Sequence, residues 1–123
     1  MATVALSFLP AAEHVRTARL VTVAVARRAG LDEARLDEIR LAVGEVCARA
    51  VRRCQETGVL SAVTVELEDG GAQLDVVVTD GAAAPESEDE YIALALVRGL
   101  ADEVSVENGP GGAGGVIRMT WNR

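Results

Sequence analysis

The fold is decided by one long stretch in the middle of the chain, LAVGEVCARAV, residues Leu41–Val51. Around it, apolar residues recur every three to four positions, which is typical of the buried side of an amphipathic helix. Asp32 is the predicted N-cap, and the helix runs to about Gln55. The charged residues, among them Arg49 and Arg53, lie mostly off the apolar stripe. That stripe comprises Leu36, Ile39, Val43, Val46, Cys47, Ala50 and Cys54.

The segments on either side of this helix predict one further long helix, one short helix and five strands. Residues 11–29 show helical spacing, and Asp69-Gly70-Gly71 forms the turn of a hairpin. The predicted order is β-α-α-β-β-α-β-β. Strands joined by tight turns imply a mixed or antiparallel sheet with helices on one face, which is a two-layer α+β sandwich. The strands are Val4–Phe8, Ala62–Glu68, Gln73–Thr79, Val104–Glu107 and Val116–Trp121, and the short helix is Tyr91–Leu100.

Composition excludes several classes of function. The 123 residues fit a single domain, residues 1–123. Acidic residues outnumber basic ones 19 to 12 and give a net charge of −7, which argues against a nucleic-acid partner. Every basic residue is arginine, so Schiff-base and P-loop lysine chemistry are excluded. The single His14 argues against a histidine-clustered metal site, and we predict no metal ligands.

The sequence also predicts the compartment and the state of the thiols. It shows neither a signal segment with a basic start nor an apolar run near the ~20 residues that a membrane span needs. We therefore expect a cytoplasmic protein with no membrane contact. Cys47 and Cys54 are seven positions apart on the predicted helix. Two helical turns separate them by roughly 10 Å, too far for a disulfide, so we expect reduced thiols in the core.

Four segments, in chain order, carry motifs of a known protein family. LAVGEVCARAV is similar to a helix with the pattern E-x-x-x-N, and VVVTDGAAAP (Val76–Pro85) stands where that family has a strand ending in D-x-G-x-G. YIALALVRGLADEV (Tyr91–Val104) matches G-x-G-L-x-L-I-R-x-L-x-D-E-V, and GGVIRMTW (Gly114–Trp121) resembles the final strand. The chain thus resembles the anti-sigma-factor serine kinases, of actinobacterial type, in the histidine-kinase-like ATPase superfamily. This resemblance implies the Bergerat fold, a mixed β-sheet covered on one face by three helices.

The resemblance implies a catalytic role for Glu45, which matches the helix glutamate that acts on water or on the protein hydroxyl. Four residues later the family has an asparagine whose amide oxygen holds Mg²⁺ against the nucleotide phosphates. Here that residue is Arg49, and a guanidinium has no acceptor atom for a cation. We therefore expect no Mg²⁺ site. Two interpretations of Arg49 stay open, an ion pair with Glu45 on the same helix face or a direct contact with a nucleotide phosphate.

Asp80 matches the aspartate that accepts a hydrogen bond from the adenine amino group, although it could instead cap a turn after its strand. The family's glycines, which let the backbone approach the nucleotide, are replaced. The Tyr91 ring could fill the nucleotide cavity itself. We therefore expect the binding of ATP or ADP to be weakened or lost. The residues at the glycine positions are Ala82, Ala84, Tyr91 and Ala93.

The glycine-rich segment Asn108–Gly115 invites comparison with a phosphate-binding loop. Such loops lead into the N-terminus of a helix, where backbone N–H groups and the helix dipole favour an anion. This segment leads into a predicted strand. We therefore predict a hairpin connection.

Three functions are consistent with these residues. The first is a regulatory protein, a pseudokinase that binds a sigma factor or an anti-sigma-factor antagonist and forms a homodimer through its N-terminal strand and first helix. The second is an active ATP-dependent serine kinase, which Glu45 and Asp80 favour. The third is a sensor of a small ligand other than ATP, bound in an apolar cleft beside Gly81–Ala84. The replaced motifs favour the first.

Overall fold

The structure is a computed structural model that describes residues 2–82, 88–109 and 114–123, without the side chains of residues 2 and 88–91. The observed order of elements confirms the predicted β-α-α-β-β-α-β-β arrangement and the α+β class. The first predicted helix begins with a short 3₁₀ turn, Ala12–His14. The strands are β1 (Ala2–Phe8), β2 (Val63–Asp69), β3 (Gln73–Asp80), β4 (Glu103–Asn108) and β5 (Gly115–Asn122), and the helices are α1 (Val15–Arg28), α2 (Glu33–Thr57) and α3 (Glu88–Leu100).

The five strands form one sheet in the order β1-β2-β3-β5-β4. Every pairing in it is antiparallel, so the mixed sheet that the family resemblance implies is corrected in this respect. The physical reason lies in the connections. The hairpins β2–β3 and β4–β5 are antiparallel, and the crossover through α3 places β4 at the sheet edge, where β5 separates it from β3.

The three helices lie on one face of the sheet, and α2 is the central one. It contacts α1 on one side, α3 on the other and strands β2, β3 and β5 beneath. Alternate strand residues supply the floor of the core, which Val65, Val76 and Trp121 illustrate by their complete burial. Because α2 has neighbours on both flanks, its buried surface is wider than the single stripe that the sequence pattern predicts.

The ends of α2 confirm the expected capping. The Asp32 carboxylate accepts a hydrogen bond from the Arg35 N–H at 2.9 Å, which is the N-cap geometry. Gly58 follows the helix with a φ of 70°, a left-handed conformation that favours glycine. Both cysteines of α2 are free and buried, as predicted. No helix within the described ranges is long and apolar enough to cross a membrane.

Candidate functional site

Three residues of the predicted nucleotide site come together where α2 passes the end of β3. Arg49 lies on α2, Asp80 is the last residue of β3, and Ala82 lies two residues after Asp80. All three are buried, with 3% of Arg49 and 5% of Asp80 exposed. The expectation that Arg49 lies off the buried side of α2 is therefore wrong, because its flank of the helix faces the end of β3, where Arg49 acts on Asp80. An ion pair from Glu45 to Arg49 is not among those formed within the described part of the chain.

Arg53 also belongs to this cluster, although the apolar pattern of α2 predicts a position off the buried face. It lies one turn after Arg49, so both side chains extend from the same flank of α2. Arg53 is 4% exposed, its Nε lies 3.6 Å from Asp80 Oδ2, and its Nη2 donates a hydrogen bond of 2.8 Å to the Ala82 carbonyl. The guanidinium thus joins the end of β3 to the segment after it. We call Arg49, Arg53, Asp80 and Ala82 the buried charge cluster.

The Asp80 carboxylate is held on several sides. Its Oδ1 accepts the Ala82 N–H at 2.9 Å, which forms a turn directly after the strand, and the Gly115 backbone also donates to it. Burial raises the pKa of Asp80, while the Ala82 N–H, the charges of Arg53 and Arg49, and the Gly115 N–H act in the opposite direction. The turn-capping role considered for Asp80 is therefore present. The carboxylate also faces an internal cation, the guanidinium of Arg53.

Two glycines, Gly114 and Gly115, allow this close packing, a role that the sequence pattern of a hairpin connection and a final strand does not predict. A Cβ on Gly114 would collide with the Asp80 carbonyl oxygen, and Gly114 has a φ of 74°. A Cβ on Gly115 would lie 3.3 Å from Asp80 Oδ2. The run of glycines was the available signal, but nothing in it identifies Asp80 as the group being approached. Residues 110–113 lie outside the described ranges.

Two other predicted site residues, Glu45 and Ala93, lie outside this cluster. Glu45 and Ala93 line a separate open pocket of about 370 Å³ between α2 and α3, together with Arg52, Ile92 and Leu96. Asp80 is absent from its lining. The glutamate that could act on a hydroxyl and the aspartate that would hold adenine thus do not share this pocket. Ala84 and the side chain of Tyr91 lie outside the described residues, so their predicted roles stay predictions.

Chemically, the buried charge cluster resembles an internal structural ion pair more than an open ligand site. The Asp80 carboxylate faces guanidinium and backbone donors, and the Arg53 guanidinium faces that carboxylate and the Ala82 carbonyl. Arg49, which stands at the asparagine position of the family pattern, contributes a second positive charge near Asp80. An Mg²⁺ ion held by that position would meet a cation there instead of an oxygen ligand.

The comparisons with known proteins agree with this architecture. Residues 8–121 match the family model described as the histidine kinase-like ATPase domain. The fold is similar to a crystal structure of the RsbU and RsbW domains of Rv1364c from Mycobacterium tuberculosis, with a TM-score of 0.78 and 19% identity. That match covers 99% of this chain and 32% of the other, so this chain spans about a third of that structure. No curated protein matches the sequence. Since the family model covers nearly the whole chain, this protein belongs to the family of histidine kinase-like ATPase domains.

Proposed function

We propose that this protein is a regulator resembling the anti-sigma-factor serine kinases that acts by binding another protein, with ATP binding and hydrolysis weakened or lost. The observation that carries the proposal is the contact between Arg53 and Asp80. In the family, the matching aspartate accepts a hydrogen bond from the adenine amino group. Here that carboxylate faces an internal guanidinium at 3.6 Å and accepts a backbone N–H. Adenine would have to displace a buried charge from its partner, which is costly.

Arg49 supports the same conclusion from the phosphate side of the site. Its guanidinium has only donors, so it cannot replace an asparagine as a ligand of Mg²⁺. Arg49 is also buried and acts electrostatically on Asp80. A side chain held in this way is poorly placed to extend toward a phosphate. Of the two roles considered for Arg49, neither the Glu45 ion pair nor the phosphate contact is favoured by its position.

The proposed partner is a sigma factor or an anti-sigma-factor antagonist. This rests on the resemblance to anti-sigma-factor kinases, which runs through the whole chain, and on the match of residues 8–121 to the ATPase family. Homodimerisation and a cytoplasmic location belong to the same proposal. The sheet and the layer of helices are the parts of the fold that this chain shares with the family, and their outer faces offer surface to a protein partner.

A second candidate, an active serine kinase, is favoured by one observation. Glu45 borders an open pocket beside α3, where a hydroxyl group could reach it. Incubating the protein with labelled ATP and an antagonist domain tests this directly. Transfer of phosphate to a serine of that domain would establish the kinase and overturn the proposal.

Calorimetric titration with ATP and ADP, each with and without Mg²⁺, tests the proposed loss of nucleotide binding. We expect no heat of binding at millimolar nucleotide. The Kd would then lie above about 1 mM, a value that corresponds to a binding free energy of about −4 kcal/mol. Binding that depends on Mg²⁺ would contradict our interpretation of Arg49. Binding without Mg²⁺ would show that Asp80 still accepts adenine despite Arg53.

A further inference from the structure

A cleft runs along the outer side of the α1–α2 pair, away from the buried charge cluster. Its larger part has a volume of about 500 Å³, and Arg16, Arg19, Arg40 and Arg52 contribute to its lining. A second part of about 290 Å³ shares Arg16, Arg19 and Arg40 with the first, so the two are continuous. We call this cleft, defined by those four arginines, the arginine groove.

The lining of the arginine groove is strongly positive. Among the described residues, Glu45 is the only acidic one that lines the larger part. The smaller part adds Arg27, which pairs with Glu33 at 3.5 Å, and no described acidic residue lines it. The chain as a whole has a net charge of −7, so this is a local reversal of its sign. A positive cleft on an acidic protein attracts an acidic partner and orients it during encounter.

Three of these arginines lack a counter-charge among the residues that the structure describes. Arg40 pairs with Asp37 at 2.6 Å at the rim. In contrast, Arg16, Arg19 and Arg52 form no ion pair with any residue that the structure describes. The aliphatic part of Arg19 lies over Gly44, where a Cβ would meet its Cδ at 2.8 Å. Gly44 therefore leaves room for the Arg19 side chain to lie against α2 on the floor of the groove.

The groove also has an apolar side. Leu41 on α2 lines the larger part with 59% of its surface exposed, and Leu20 on α1 lines the smaller part with 61% exposed. Val15 and Ala48 add further apolar surface to the larger part. Exposed leucines beside uncompensated arginines are typical of a surface that receives an amphipathic segment.

We propose that the arginine groove binds one acidic amphipathic helix of the partner protein. Its apolar side would lie against Leu20 and Leu41, and its acidic side chains would pair with Arg16, Arg19 and Arg52. The lining extends on α2 from Arg40 to Gln55, roughly 22 Å at 1.5 Å per residue, which accommodates about four helical turns. This inference rests on the proposed function, because it assigns a surface and a partner chemistry to that protein–protein binding.

The test is fluorescence anisotropy with a labelled synthetic helical peptide that has leucines at i, i+3, i+4 and i+7 and glutamates beside them. A matched peptide has lysine at each glutamate position. We expect the acidic peptide to bind, the basic peptide not to bind, and added salt to weaken the complex. The exposed-site double variant Arg16→Glu/Arg52→Glu should weaken binding by about tenfold or more.

The matched control is Arg118→Glu, which reverses an exposed arginine on β5, outside the groove lining. It should leave the affinity near that of the wild type. The inference is overturned if both peptides bind equally, if Arg118→Glu weakens binding as much as the double variant, or if an oligonucleotide of similar length binds the groove more tightly. It is also overturned if the groove is filled by a second copy, seen as a dimer that Arg16→Glu/Arg52→Glu dissociates.

Failure of this inference can be told apart from failure of the proposed function. A protein that binds Mg-ATP and transfers phosphate overturns the proposed function, whatever the peptides do. A protein that binds neither nucleotide nor the acidic peptide overturns the assignment of the arginine groove alone. The two experiments use the same purified chain.

Discussion

Arg53 Nε lies 3.6 Å from Asp80 Oδ2, and both side chains are almost completely removed from solvent. The pair connects the helix layer to the end of a central strand. It also places a guanidinium beside the carboxylate that, by resemblance to the family, would accept a hydrogen bond from the adenine amino group. Because a buried charge is stable only with a partner, each group fixes the position of the other. A residue that would serve a ligand in a nucleotide-binding relative is here part of the fold.

Replacing Asp80 with asparagine should destabilise the protein strongly. The substitution keeps the shape and an acceptor for the Ala82 N–H, but it removes the negative charge that faces the buried Arg53 and lies near Arg49. We expect a loss of about 3 kcal/mol in the free energy of unfolding, measured by urea denaturation. Asp37→Asn is the control, because it removes an exposed partner of Arg40 and should cost less than about 1 kcal/mol. Similar small losses for both would show that Asp80 carries no structural charge.

The secondary structure was largely predictable because its signals are local. Helix α2 was predicted from Asp32 to about Gln55 and is observed over Glu33–Thr57, since its apolar period and its N-cap both lie in the sequence. Helix α3 begins at Glu88, three residues before the predicted start at Tyr91. Its first residues are acidic, which is favourable at a helix N-terminus but resembles a solvated loop in composition. The order of strands in the antiparallel sheet depends on long-range pairing, which the local sequence pattern does not predict.

The buried charge cluster was only partly predictable. The family pattern identifies Asp80 and Arg49, whereas the sequence predicts a surface position for Arg53, because charged residues are almost never fully buried unless paired. Its partners, Asp80 and Ala82, lie 27 and 29 residues further along the chain. No local pattern specifies that contact. A clue was present in the spacing of four residues between Arg49 and Arg53, which places both on one helix flank.

Gly114 should tolerate alanine much less well than Gly71. Both have a positive φ, 74° and 83°, which costs a residue with a Cβ roughly 1–2 kcal/mol. Only at Gly114 would the new Cβ also collide with the Asp80 carbonyl oxygen, whereas at Gly71 it would meet no atom within 4 Å. We therefore expect Gly114→Ala to lower the free energy of unfolding well below that of Gly71→Ala in the same urea experiment. Equal losses would show that the approach to Asp80 is not tight.

The two thiols should be protected from alkylation in the native protein. Burial raises the pKa of Cys47 to about 12 and also raises that of Cys54. At about pH 8 the thiolate fraction of Cys47 is then roughly 10⁻⁴, and only the thiolate reacts. Iodoacetamide should modify neither residue rapidly until guanidinium chloride unfolds the chain, after which both should react. Mass spectrometry of peptides measures this. Rapid native modification of Cys47 would place it outside the core.

Removing the two buried arginines should restore affinity for nucleotide. In the double variant Arg49→Asn/Arg53→Ser, Asp80 loses its internal cation and an amide oxygen returns to the position where the family holds Mg²⁺. We expect Mg-ADP binding to become measurable by calorimetry, near a Kd of about 1 mM, whereas Arg52→Asn, an exposed change on the same helix, should leave binding undetected. Circular dichroism checks folding, and Arg53→Gln alone provides a milder variant. If the variants fold and none binds nucleotide, the Arg53–Asp80 contact is not what excludes adenine.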